Sequence, residues 1–246
     1  MKKINKISYL LGILLIGIIW SILAIKNSFF PSILQVIYQF CTKIVDIYIL
    51  NAFFNTIFRA IFAFLLSLIL GYIVAYISYK SKILKELISP LISLLRSIPT
   101  ISVVIIVLMI VDLKLISYTI VSIIIFPIIY QNILYSFENI DSELIMINKL
   151  DNTNSFKNFL MFIFPLSLKG LLNAILQTLG LSIKIQVMSE ILTGSTKLYG
   201  IGLLINNYRT NLEIDNVFAI TLMIILFVFI IEYLIKLLNK TINNLT

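Results

Sequence analysis

The sequence predicts an all-α fold, a polytopic transmembrane helical bundle of about six spans. Three observations predict it. Of 246 residues, 60% are hydrophobic and only 12% are charged, against about half and a quarter in soluble domains. Mean hydropathy is +1.07. Apolar runs close to the roughly 20 residues that a spanning helix needs recur along the chain. The lysines and arginines between those runs fall unevenly on the two sides of the implied membrane.

The elements follow in order. Ile7–Ile25 is free of charge. It is longer than the roughly 7–15 residues of a signal-peptide core, and no small-x-small cleavage site follows, so it reads as a first span that stays. Pro31, Lys43 and Asp46 interrupt the stretch from Phe29 to Leu50, which reads as an interfacial or amphipathic segment outside the membrane. Ala60–Tyr79 and Leu115–Phe137 are clean spans. Leu87–Val111 carries Arg96 and Pro99, Gly170–Ser189 carries Lys184, and Asn216–Leu234 carries Glu232 near its end. The expected division is residues 1–50 as first helix plus external segment and 51–246 as the core, with a polar loop at 138–165.

With a cytoplasmic N-terminus, the basic residues at 2, 3, 6, 80, 82, 85, 149, 157, 169, 236 and 240 lie inside, and Lys26, Lys43, Lys114, Lys197 and Arg209 outside. This bias places both termini and the 138–165 loop in the cytoplasm of a cell (inner) membrane. The net charge of +8 is thereby assigned to sidedness and not to nucleic acid. Histidine is absent and Cys41 is the single cysteine, which leaves no basis for a zinc site, an internal disulfide or a bound cofactor. No phosphate-binding G-x-x-x-x-G-K-[ST] loop occurs, so nucleotide hydrolysis would need a separate chain.

The loop "MINKLDNTNSFKNFLMFIFP", Met146–Pro165, breaks the apolar pattern. It reads as two short helices. Asp141 or Ser142 caps the first, with Glu143 in its first turn. Asn152 suits the left-handed residue that ends it. Asn154 or Ser155 caps the second, which Pro165 ends or passes on. Read plainly, this is a solvated connection on the membrane surface.

The loop also resembles the EAA loop of binding-protein-dependent ABC importer permeases. Counted back from Pro165, Met146, Ile147 and Asn148 fall on Glu-Ala-Ala, Lys149 on the basic position, Asn152 on the glycine and Phe156 on the aromatic position. The Glu and both Ala are replaced. "SPLISLLRSIPTISVV", with Pro90, Arg96, Ile98 and Pro99, is similar to the third-span region of the sulfonate/nitrate/taurine branch. "LGLSIKIQVMSEILTGSTKLYGIGLLI", with Glu190 and Gly202, is similar to that branch's fifth span and the loop after it. "FFPSILQV" and "NTIFRAIFAF" resemble its post-first-span and second-span segments. The resemblance runs through the chain in order. It implies a MetI-like permease fold that is not itself an enzyme. It further implies two permease copies around one path, ABC ATPase subunits on the cytoplasmic face and an external solute-binding protein. The loop would insert into the ATPase, offering Met146, Ile147 and Leu150 as apolar contacts and Lys149 and Asp151 at the rim.

Charges in the spans need partners or water, because one at mid-bilayer costs about 2.5–3.5 kcal/mol. Arg59 reads as snorkelling to the interface. Lys184 either lines the path and meets an anionic solute or pairs structurally with Glu190 or with another span's carbonyls. Pro99 after Arg96 frees carbonyls and makes either a gate or an ordinary kink. Arg96, Pro99, Lys184 and Glu190 are thus the candidate path residues. The rival class is a secondary carrier or channel without an ATPase, which often shows two related halves. No internal repeat is evident. A membrane-embedded enzyme would need a lone Ser or Lys nucleophile, since the spans hold no clustered carboxylates.

Overall fold

The computed structural model describes residues 6–27, 29–140 and 159–243, and these contain helices and turns but no strand. Helix α1 is Lys6–Lys26, α2 Ile33–Lys43, α3 Ile47–Lys80, α4 Lys82–Ser97, α5 Thr100–Ile110 and α6 Leu113–Glu138. A π-helical turn, Phe159–Ile163, leads into α7, Phe164–Thr193. A 3₁₀ turn, Thr196–Leu198, precedes α8, Ile201–Thr210, and α9, Ile214–Asn243.

Local chemistry sets the boundaries. Ser32 and Gln35 form a reciprocal capping box at the start of α2. The Asp46 carboxylate accepts from the Tyr48 N–H at the start of α3. Ser81 ends α3 and caps α4 through the Leu84 N–H. Gly194, with φ of 57°, supplies the left-handed residue that closes α7.

Among the described residues, four helices are long and apolar enough to cross a membrane: Ile47–Lys80, Leu113–Glu138, Met161–Thr193 and Ile214–Leu237. The sequence places the second span at Ala60–Tyr79, but α3 runs unbroken from Ile47. Arg59 does not interrupt it, and 34 residues make α3 about 50 Å long against a hydrocarbon core of about 30 Å. The expected straight span Leu87–Val111 is instead two helices, α4 and α5, meeting at 101°. Pro99 explains the corner. It pushes Ile98 into extended backbone (φ −73°, ψ 127°) and opens α5, accepting from the Ser102 and Val103 N–H groups at 2.9 and 3.2 Å. The α4–α5 pair makes a fifth span if counted as one. Helix α1 is 21 residues long, and its stretch Leu10–Lys26 is apolar.

The segment expected at the interface forms α2, which packs along α9, with Gln39 donating to Asp215 at 3.0 Å. Helix α6 is the central element. Its buried isoleucines pack against α3 on one side and α7 on the other. Gly71 lets α3 approach Ile129, and Gly170 lets α7 approach Ser136, whose Cβ would lie 2.2 Å from any added methyl. A second apolar cluster joins α3, α7, α8 and α9 near Phe53, Ile183, Ile201 and Ile220.

Candidate functional site

Between Leu166 and Ile191, four residues of α7 have exposed side chains: Lys169, Asn173, Gln177 and Lys184. Each is polar. Their spacings of 4, 4 and 7 put them on one face, and 15 residues at 1.5 Å carry that stripe about 22 Å along the helix. A helix open to lipid on this face would show apolar residues there. A stripe of two lysines and two amides needs water, a solute or another protein surface beside it.

Neighbouring helices widen the stripe into a groove. Asn132 of α6 donates to the Gln177 carbonyl at 3.0 Å. The Arg96 guanidinium, on the last turn of α4, donates to the Gln131 carbonyl oxygen. A cavity of about 490 Å³ lies among Arg96, Gln131, Asn132, Tyr135 and Gln177. A second, of about 340 Å³, shares Asn132 and Tyr135 and reaches Lys169 and Asn173. Further along α7, a cavity of about 500 Å³ holds Lys184 opposite α9. Glu138 borders the first cavity, but its carboxylate is taken by Lys85 at 2.5 Å.

The candidates read from sequence separate in space. Arg96 stands in the groove, and Pro99 forms the corner that presents it. Lys184 is on the stripe. Glu190 is not: its side chain is fully buried. Oε2 accepts from the Thr56 hydroxyl at 2.7 Å and the Gly202 N–H at 3.0 Å. Oε1 accepts from Arg59 at 3.1 Å and Gln186 at 2.9 Å. Arg59 also donates to the Tyr199 carbonyl at 3.1 Å, and Thr56 accepts from the Ile201 N–H at 2.8 Å. Gly200 and Gly202 permit this approach, since a methyl at Gly200 would sit 2.4 Å from the carboxylate. The α8 N-terminus, two side chains of α3 and one carboxylate of α7 thus form one closed junction. Its positive dipole end faces the carboxylate. Arg59 is therefore an ion-pair partner and not a snorkelling side chain, and the Lys184–Glu190 pairing does not occur. Six residues on a helix turn a side chain by 600°, which leaves those two 120° apart.

Gln131, Asn132, Asn173 and Gln177 are not among the residues the sequence singles out, because an uncharged amide stands out less than a charge in an apolar run. The signal was present: amides and lysines repeating at helical spacing inside a hydrophobic run. Of the loop positions assigned by resemblance, Met146, Ile147, Asn148, Lys149, Leu150, Asn152 and Phe156 lie outside the described residues. Pro165 is described, in the first turn of α7, where its missing N–H breaks no helical bond.

Residues 67–244 match the family described as binding-protein-dependent transport system inner membrane component. The chain belongs to that family. A MetNI methionine ABC transporter, solved in inward-facing conformations, is similar in fold. It aligns with a TM-score of 0.66 at 16% identity, covering 80% of this chain and 96% of that one. No curated protein matches the sequence. The protein is accordingly a multi-pass membrane permease component of the ABC transporter class, not a catalytic subunit, and its family implies an ATPase and a solute-binding protein as partners.

Proposed function

We propose that this permease passes a small solute carrying an anionic group, of the sulfonate, nitrate or taurine kind, along the polar face of α7. The carrying observation is the unbroken polar exposure of Lys169, Asn173, Gln177 and Lys184 on a spanning helix. Lys169, Lys184 and Arg96 bring positive charge to the face, and Glu138, which borders the Arg96 cavity, is already paired. A second copy of the chain, presenting the same face, would close the groove into a path between subunits while lipid covers α3. The termini lie in the cytoplasm in this reading, as the lysine bias argues. Coupling falls to residues 138–165, with Met146, Ile147, Asn148, Lys149, Leu150, Asn152 and Phe156 toward an ABC ATPase and Pro165 at the joint with α7. Both ends of that segment are tied to the bundle, as a force-bearing connection requires. Lys85–Glu138 secures its start. The Phe159 ring lies 4.6 Å from that of Tyr76 at its end.

The test is uptake into vesicles holding the permease, its ATPase and its external binding protein. Uptake should require ATP and stop without the ATPase. Ile147→Asp or Asn152→Pro should leave membrane insertion and ATP hydrolysis intact while lowering uptake at least about tenfold, the loss expected if one anchor of a helix-in-groove contact is removed. Full-rate uptake without any ATPase would instead establish the secondary-carrier reading.

A further inference from the structure

Glu232 of α9 is the one acidic side chain lining the cavity that holds Lys184. Its carboxylate leans onto Gly180, where an added methyl would stand 2.9 Å from Oε1. Gly180 is one turn from Lys184 on the same helix. The absence of a side chain there lets the carboxylate lie across α7 one turn from the Lys184 position. Among the described residues, neither Lys184 nor Glu232 has an ion-pair or hydrogen-bond partner. The rest of the wall is apolar, including Val187, Ile224 and Phe229, apart from Thr221. Two unlike charges that line one largely apolar hollow within a spanning region form a complementary pair for a ligand that carries both charges.

We infer that the cavity between α7 and α9 is a transit site for a zwitterion with an apolar body, Lys184 meeting its anionic group and Glu232 its ammonium group. The inference rests on the reading that the α7 stripe borders the path. It adds a negative charge for the amine, which the stripe and Arg96 do not carry. The hollow suits an amino acid or aminosulfonate bearing an apolar portion better than a bare inorganic anion, which would leave Glu232 facing it.

The probes are norleucine and its two single-charge relatives, hexanoate and pentylamine. Thermal unfolding of the purified full-length chain is followed in phosphatidylglycerol nanodiscs, which hold no zwitterionic headgroup. Norleucine should raise the midpoint in a saturable way, and hexanoate and pentylamine should not. Lys184→Met and the isosteric Glu232→Gln should each weaken the apparent norleucine affinity about tenfold or more. Equal protection by hexanoate, unchanged in Glu232→Gln, would overturn the inference in favour of an anion site and leave the path reading standing. No protection by any probe would overturn it as well. If adding phosphatidylethanolamine raised the midpoint in a Lys184-dependent way and abolished the norleucine effect, the occupant would be a lipid headgroup and the solute assignment would fail. The path reading itself falls by a different result, uptake unchanged when Asn173 and Gln177 of the stripe are both replaced by leucine.

Discussion

Helices α3 and α7 pack against each other and both cross the bundle, yet their open faces differ completely. From Phe58 to Ile77, every exposed residue of α3 is Phe, Ile or Leu. From Leu166 to Ile191, every exposed residue of α7 is Lys, Asn or Gln. Hydropathy averages over a window and ranks both as spans. The environment of a span is set by which residues remain uncovered. The α3 face is made for acyl chains, and the α7 face for water, solute or a protein surface. The junction at Glu190 fixes this outcome. By holding Thr56 and Arg59 of α3 to a carboxylate of α7, it sets the rotation of one helix against the other.

Four substitutions break or sharpen that contrast. The largest effect should come from the junction. Glu190→Ala leaves Arg59 without its charge partner and should destabilise the protein by about 3–5 kcal/mol, the cost of breaking a buried pair, measured by denaturant unfolding in detergent. An unchanged midpoint would deny the junction its role. Lys184→Met should leave stability unaltered and reduce uptake about 10- to 100-fold, equivalent to the roughly 1.5–3 kcal/mol of a hydrogen bond to a charge. Normal uptake would remove the stripe's upper end from the path. Gly170→Val overpacks the α6–α7 contact at Ser136 and should cost about 1–3 kcal/mol, and it should distort the groove beside Asn132. Ile69→Ala on the α3 face should change stability by no more than about 0.5 kcal/mol and leave uptake intact. A large effect there would mean that α3, too, faces protein.

The all-α class and the positions of most spans were legible because they depend on local hydropathy, which a single stretch carries. Pro31, Lys43 and Asp46 set the α2 segment apart from the spans, while the capping box of Ser32 and Gln35 that starts the helix emerged only in the structure. The break at Pro99 was visible, but its 101° angle was not, since a proline fixes one backbone torsion and the neighbouring packing fixes the rest. The partner of Glu190 lay 131 positions away in Arg59, and no local pattern encodes a pairing at that separation. Reading Lys184 with Glu190 followed sequence proximity where helical rotation separates them. Exposure on α7 depended on the cover that α6 and α9 provide, which only the assembled bundle reveals.

Helix α1 is exposed along nearly all its described length and turns only Gly17, Trp20 and Ala24 partly inward. Trp20 donates to the Pro31 carbonyl at 2.9 Å and sits edge-on to Phe30 and Phe218. A segment moored by one indole is a tether and not a wall. The remaining helices hold together without its contacts, and Trp20→Ala should set it adrift without opening the bundle behind it.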